Sequence, residues 1–498
     1  MSIPWAAAKP TVSRRSLVTD VETVDVQPVN KPDQRALYEK RQKIHPRRVQ
    51  GTFRRLKWAA MSAMLAIYYL SPWIRWDRGP SAPDQAILVD LGAPRFYFFF
   101  IEIWPQEIYY VTGLLIIAAL ALFLATSLLG RVWCGYACPQ TVWTDLFVAV
   151  ERFIEGDRAA RIRLDRATWS LAKIGKRILK HAVWLLIGAC TGGAWVFYFV
   201  DAPTLATQLV TFEAPMAAYG FIAILTGTTY LLGGLAREQV CTFMCPWPRI
   251  QAAMFDEDTL LVGYREYRGE PRGAYRKGES WENRGSCIDC NMCVVVCPMG
   301  IDIRDGLQLE CISCALCIDA CNTVMDRIEQ PRGLIGYDTV AGIRRKSEHE
   351  PVRRPRIFRA RTVIYTALIA LVGGIMLTVL LSRSPLGVNI LRDRNPLFVQ
   401  LSDGSIRNGY TVKILNKHHE KRAFNLKISG IRAATISIIG LADTHLAVGP
   451  DRLRSFRVYV KAPHAALTGL STPIRFDVID RMDGRMVSHD STVRGPGK

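Results

Sequence analysis

Apolar positions in this 498-residue chain follow two different patterns. Five stretches carry no charged residue: Trp58 to Ile74, Ile108 to Gly130, Ala182 to Val200, Ala214 to Ala236 and Thr362 to Ser382. Each holds roughly 17 to 23 residues, the length a helix needs to cross about 30 Å of hydrocarbon. The first and third are the shortest. Trp58, Trp73, Trp76, Tyr109 and Tyr110 gather at their ends, where an interfacial aromatic belt belongs. From Leu391 onward the period changes to two. Tyr410, Val412 and Ile414 alternate with polar residues, as do Phe424, Leu426 and Ile428, then Phe456, Val458 and Val460, then Ile474, Phe476 and Val478. With Asn, Gly, Asp and Pro turns between the runs, this predicts a small antiparallel β-sandwich of about 110 residues.

Composition agrees with a membrane protein. Apolar residues reach 49%, mean hydropathy is +0.10 and the formal net charge is +20, which excludes a disordered or collagen-like chain. Nucleic-acid binding is one reading of so basic a chain. The distribution favours the other reading, basic loops on the cytoplasmic side. Thirteen Lys and Arg precede Trp58 and ten lie in 131–181, against three in 75–107 and none in 201–216. The positive-inside rule then makes the N-terminus, the second loop and the 237–361 insert cytoplasmic, and everything after Ser382 external. No cleavable signal peptide is visible, since the first apolar run begins near residue 58. The chain divides into a disordered basic tail over 1–56, four spans over 57–236 and the cytoplasmic insert over 237–361. A fifth span follows over 362–382, then the sandwich over 383–498. The tail reads as a topology determinant in contact with lipid headgroups.

Thirteen cysteines are present, eight of them within 35 residues, a local clustering that argues for metal ligation over a disulfide framework. Cys287, Cys290, Cys293 and Cys297-Pro298 form C-x2-C-x2-C-x3-C-P, and Cys311, Cys314, Cys317 and Cys321 repeat the spacing 24 residues later. Three thiolates at two-residue intervals wrap one face of a cubane, and the fourth reaches the neighbouring cube. One [4Fe-4S] cluster is therefore expected at Cys287, Cys290, Cys293 and Cys321, the other at Cys311, Cys314, Cys317 and Cys297. Ile288, Val294, Val296, Ile312, Ala315 and Ile318 supply the apolar shell. Two zinc sites would use separated C-x2-C pairs, so the tandem favours iron. The insert is thus predicted to be a 2[4Fe-4S] ferredoxin domain, at about 277–330, that moves single electrons.

Two further pairs follow the second and fourth spans: Cys134-Gly-Tyr-Ala-Cys138-Pro139 and Cys241-Thr-Phe-Met-Cys245-Pro246. Cysteines four apart share a helix face and can converge on one metal. The proline disfavours helix at Cys138 and Cys245, so the chain should break there. Arg131 and Arg237 nearby favour thiolate. Met244 adds a thioether, though packing is the commoner role for such a residue. Cys190, alone in the third span, reads as apolar filler. His418 and His419 in a polar turn of the sandwich read as solvated rather than metal-binding.

At these residues the chain resembles the CcoG/FixG/RdxA family, the accessory proteins of cbb3-type cytochrome c oxidase. The resemblance covers most of the chain after about residue 50. It rests on GRVWCGYACPQTVWT (130–144), REQVCTFMCPWPRIQ (237–251), MFDEDTL (254–260), RGEPRG (268–273), the doubled ferredoxin run, PRGLIGY (331–337) and RDRNPLF (392–398). NapH and NosR-like membrane ferredoxins share the CxxxCP spans and clusters but lack the sandwich. The resemblance implies a bacterial plasma-membrane protein with an Ig-like domain facing the periplasm. It also implies a cupric reductase that supplies Cu(I) for the oxidase.

Three functions follow as expectations. The first is reduction of Cu(II) to Cu(I), for which the catalytic residues are Cys134, Cys138, Cys241 and Cys245, binding copper or a further cluster. The second is a general conduit between a cytoplasmic donor and quinone or another redox partner. The third is an assembly scaffold or redox sensor. No Rossmann glycine fingerprint, P-loop or CxxCH occurs, and no span contains a His, so the electron donor is another molecule. The expected partners are the lipid bilayer, that unidentified donor, copper ions and copper chaperones or oxidase assembly factors, with no nucleic acid.

Overall fold

The computed structural model describes residues 21–29, 42–80, 82–276, 278–351, 355–384, 386–441 and 443–496. The chain forms two compact units, residues 1–74 with 87–376, and residues 75–86 with 377–498.

Helices dominate the first unit. In chain order they are α1 (Thr52–Leu70), α2 (Tyr109–Leu129), α3 (Val132–Tyr136), α4 (Pro139–Glu155), α5 (Arg158–Arg166), α6 (Leu171–Val196), α7 (Ala202–Thr211) and α8 (Met216–Thr229). A π-helical stretch, Tyr230–Ala236, continues α8, and a second, Val240–Met244, precedes α9 (Trp247–Met254). Then come α10 (Glu266–Gly269), α11 (Met292–Val296), α12 (Leu316–Arg327), α13 (Val340–Ser347) and α14 (Ala360–Leu381). A small antiparallel sheet of β1 (Ile87–Asp90), β2 (Arg95–Phe98) and β3 (Ile101–Ile103) precedes α2, and β4 (Leu261–Tyr264) pairs with β5 (Ile335–Asp338) to bracket the eight clustered cysteines.

Among the described residues, four helices have the length and apolarity to cross a membrane: Pro105–Leu129, Leu171–Val196, Met216–Ala236 and Ala360–Leu381. They coincide with the second to fifth predicted spans. The first predicted span is also helical, but it differs in its bounds. Helix α1 begins earlier, at Thr52, so its first turns carry Arg54, Arg55 and Lys57. It also ends earlier, at Leu70, with Pro72 in the 3-10 turn that follows. It therefore lacks a spanning window of sufficient apolarity.

The disordered tail expected over 1–56 lies outside the described residues in 1–20 and 30–41. Elsewhere it is ordered on the insert. Val24 N–H donates to Cys290 O at 3.2 Å, Val29 N–H to Gly300 O at 2.8 Å and Arg47 N–H to Val295 O at 2.8 Å. Val21 joins the insert's buried core. Its last residues open α1, whose N-terminus is capped from the insert: Arg54 N–H donates to Asp319 Oδ2 at 2.7 Å and Phe53 N–H to Oδ1 at 3.3 Å. Gly51 is required there, because a Cβ would lie 2.2 Å from Asp319 Cγ.

The second unit is the predicted sandwich. Its strands are β6 (Leu386–Arg392), β7 (Val399–Gln400), β8 (Ile406–Asn416), β9 (Arg422–Ser429), β10 (Thr435–Ile438), β11 (His445–Val448), β12 (Arg452–Ala462), β13 (Ser471–Asp480) and β14 (Met486–Arg494). One antiparallel sheet runs β10-β12-β8-β6, with β7 also on β8, and the other runs β11-β9-β13-β14. The four alternating runs lie on β8, β9, β12 and β13, and their apolar members form one core, centred on the Tyr410 and Phe476 rings 4.9 Å apart. His419 Nδ1 lies 2.6 Å from Asp451 Oδ2. His418 lies near Asp480 and Asp483, and Arg422 already pairs with both, at 3.2 and 3.7 Å.

Candidate redox centre

The two cysteine runs fold alike. Asp289 and Asn291 in the first, and Ser313 and Ala315 in the second, all adopt left-handed backbone conformations, at the same 24-residue offset as the cysteines. Each pair curls its loop so that successive N–H groups turn inward, a concavity suited to an anionic group. The backbone amides of Met292, Ser313, Met299 and Ile301 hydrogen-bond to the sulfurs of Cys290, Cys311 and Cys297. All six residues expected to form the apolar shell are buried.

The fourth cysteine of each run crosses over. The thiols that act on Cys321 are those of Cys290 and Cys287, with Arg268 opposing them, whereas those that act on Cys297 are Cys314 and Cys311. Cys297, Cys311, Cys314 and Cys317 line one cavity, together with Cys293 of the first run. Burial pushes the Cys297 and Cys321 thiols up to about 12 and the Cys290 and Cys311 thiols up to about 11, with the neighbouring thiols adding to the rise. Thiols so buried stay neutral unless a metal cation takes the proton's place. The eight cysteines, in two groups of four and with backbone amides on three of the sulfurs, fit two cubanes.

The CxxxCP pairs form a third group of thiols. Cys134 lies on α3 and Cys241 on the second π-helical turn, while Cys138 (ψ 128°) and Cys245 (ψ 122°) are extended before their prolines, the predicted break. Burial raises the Cys134 thiol to about 12, with Cys138 and Cys245 adding to the rise and Arg131 opposing it. Burial likewise raises Cys241 to about 12, helped by Cys138, Cys134 and Cys245. The four thiols of the two pairs are therefore neighbours. Cys134 Sγ–H donates to Gln251 Oε1 at 3.2 Å. Met244 is exposed on its turn, and Cys190 stays apart, exposed on α6.

This group abuts the second cysteine loop. A Cβ at Gly135 would lie 2.7 Å from Ile312 O and 3.1 Å from Cys314 N, so only glycine permits the approach. Tyr136 O–H donates to Cys314 O at 3.2 Å, Tyr337 O–H to Ser313 O at 2.8 Å, and Arg131 Nη1 to Cys311 O at 3.2 Å. Sequence reasoning about the cysteines missed Gly135, Tyr136, Gln251 and Tyr337. Their one signal is position, since each falls inside a stretch that carries the family resemblance. Below the site, Glu151 is wholly buried and pairs with Arg161 at 3.0 Å and Arg237 at 2.9 Å, and their charges hold its carboxyl down at about 2 against the cost of burial.

The fold and the site define a membrane-associated 4Fe-4S electron-transfer protein. A family model described as a 4Fe-4S dicluster domain matches residues 236–340, a 4Fe-4S binding domain matches 111–155, and the Ig-like fold at the C-terminus of FixG matches 376–496. The chain is 54% identical over 487 residues to nitrogen fixation protein FixG of Rhizobium meliloti (strain 1021), covering 91% of each chain. It is also 54% identical to protein RdxB of Cereibacter sphaeroides, covering 93% of this chain and 98% of that one, and 51% identical to protein RdxA of the same organism, covering 89% and 95%. The chain belongs to the FixG/RdxA family.

Proposed function

We propose that this protein carries single electrons across its cytoplasmic insert to the four CxxxCP thiols and there reduces Cu(II) to Cu(I) for assembly of a cbb3-type oxidase. Cys287, Cys290, Cys293 and Cys321 hold one [4Fe-4S] cluster; Cys311, Cys314, Cys317 and Cys297 hold the other. Bound there, the clusters supply one-electron storage and relay. The observation that carries the reading is the close contact of Gly135 and of the Tyr136 hydroxyl with the Cys311–Cys317 loop, which supports short-range transfer between that loop and the thiol group. Cys134, Cys138, Cys241 and Cys245 offer soft donors that favour Cu(I) over Cu(II), so binding there raises the potential of the substrate ion and makes its reduction downhill. The protein resides in the inner membrane of a bacterium, with the N-terminus and insert cytoplasmic and the sandwich periplasmic. Its electron donor is a separate cytoplasmic carrier, and Cu(I) leaves to copper chaperones or oxidase assembly factors.

A second reading has support of its own. Four thiols match the ligand count of a cubane, and the 4Fe-4S binding domain matched at 111–155 contains Cys134 and Cys138. One measurement separates the readings: iron and acid-labile sulfide content together with Cu(II) reduction, followed with a Cu(I)-specific chelator. Copper reduction predicts about eight iron per chain, and at least tenfold slower reduction in Cys134→Ala and Cys241→Ala with iron unchanged. About twelve iron in wild type, falling toward eight in these variants, establishes the further cluster instead. Unchanged iron and wild-type reduction in both variants overturns the CxxxCP site as the place of reaction.

A further inference from the structure

The two CxxxCP motifs are repeats, yet their arginines do different work. Arg237, beside the second motif, is neutralised by the buried Glu151 carboxylate at 2.9 Å and donates from Nε to Gly234 O at 2.8 Å. Arg131, beside the first, is 3% exposed and, among the described residues, hydrogen-bonds to backbone carbonyls. Its Nη1 donates to Leu309 O and to Cys311 O, and its Nη2 donates to Pro248 O at 2.7 Å. The guanidinium also lies 5.6 Å from the Phe255 ring. The acidic groups that act on it against the cost of burial are Cys311, Cys134 and Glu310. One side chain thus ties together three segments: the first motif, on which it sits, the chain just past the second motif, and the second cysteine loop.

A buried cation whose charge no carboxylate cancels at contact distance acts strongly on whatever lies beside it, because the local dielectric is low. Reduction adds a negative charge to a thiolate-ligated centre, so a fixed cation favours the reduced state and raises its potential. We propose that Arg131 is the positioning residue of the electron-transfer junction: it holds the four-thiol group against the second cluster loop and biases the electron toward that end of the insert. The step is a one-electron transfer with no bond made or broken, from the reduced centre at Cys297, Cys311, Cys314 and Cys317 to Cu(II), which becomes Cu(I). The inference rests on the proposed cluster ligation.

The test is a redox titration of the full-length protein, purified anaerobically in detergent and followed by electron paramagnetic resonance. Stopped-flow reoxidation of the prereduced protein by Cu(II) accompanies it, for wild type, Arg131→Gln and Arg131→Lys. Arg131→Gln is expected to keep its iron and to make reduction of one cluster about tenfold less favourable, about 59 mV toward more negative potential. Its reoxidation by copper should slow at least tenfold. Arg131→Lys keeps the charge and loses the three-way fork, so its potential stays near wild type while transfer slows. Full iron content with wild-type potential and transfer rate in Arg131→Gln overturns the inference, and so does a shift as large in Arg131→Lys as in Arg131→Gln. Wild-type protein without cubane signals overturns the cluster reading itself, and the inference with it.

Discussion

At the scale of single residues, the redox centre depends on side chains that are small or absent as much as on those that bind. Gly135 lets the first CxxxCP loop sit against the backbone of Ile312 and Cys314, and no other residue fits without moving one of the two loops. Gly135→Val forces a branched side chain into that contact. Overpacking of this kind costs about 1–3 kcal/mol, and the separation it creates falls between the two thiol groups. The variant is therefore expected to keep both clusters, by iron content, while its reoxidation by Cu(II) slows by about tenfold or more. Wild-type reoxidation in Gly135→Val would show that the contact does not serve transfer. Arg131 stands in the same junction and adds charge to shape, so the two residues should be non-additive in a double-mutant cycle.

Individual elements show which features a sequence can announce. The strands of the sandwich were legible because a half-buried strand writes period two into its own residues, and Tyr410, Val412 and Ile414 do so without reference to any partner. The breaks at Cys138 and Cys245 were legible because proline acts on the residue before it. The packing of 21–29 and 42–50 on the insert was not. Three of its hydrogen bonds run from backbone to backbone, as from Val29 to Gly300, and leave no mark in residue type, although Asn291 Nδ2 also donates to Val24 O. The Asp319 cap of α1 spans more than 260 residues, beyond any local pattern. One part of that packing has a measurable signature. Burial, aided by Lys43 beside it and Arg161 on α5, lowers His45 to about 4, although Asp165 on α5 and Glu151 on α4 oppose the shift. His45 Nε2 lies 3.1 Å from Asp165 Oδ2. A detached segment takes up a proton near pH 6.5, whereas the docked one stays neutral until about pH 4. Docking is thus fully stable above pH 6.5 and weakens as pH falls from 6.5 to 4, by about 3 kcal/mol at the extreme. Hydrogen exchange of 42–50, corrected for intrinsic rates, should rise at pH 5 relative to pH 7.5, and His45→Gln should flatten that dependence. Equal protection at both pH values in wild type would refute the account.

For the whole molecule, the order of contacts constrains how the chain threads the bilayer. Residues 42–50 touch the cysteine insert, so both are expected on one side of the membrane, and the chain between them is then expected to cross an even number of times. Three helices with the length and apolarity to span lie in that interval, α2, α6 and α8 with its π-helical extension, and three is odd. Helix α1 is expected to supply the fourth crossing. Its 19 residues reach about 28 Å at 1.5 Å per residue. Its charged first turns stay at the insert face, where Arg54 pairs with Asp145 at 2.9 Å. Its other end meets the far end of α6: Tyr68 O–H donates to Thr191 O at 2.8 Å, Tyr198 O–H donates to Tyr68 O at 2.8 Å, and the Trp73 and Phe197 rings lie 5.4 Å apart. Helix α1 therefore runs beside α6 to the same depth, although its first turns are too charged for composition alone to mark it as a span. That crossing predicts an external segment between α1 and α2. Leu91, 70% exposed in that segment, provides the test. In intact spheroplasts, Leu91→Cys should react with a membrane-impermeant maleimide, a reporter inserted near Glu279 should be active only in the cytoplasm, and one fused after Lys498 only in the periplasm. Labelling of Leu91→Cys only after lysis, with the Glu279 reporter still cytoplasmic, would mean that α1 does not cross and that residues 42–50 cannot dock on the insert of their own chain.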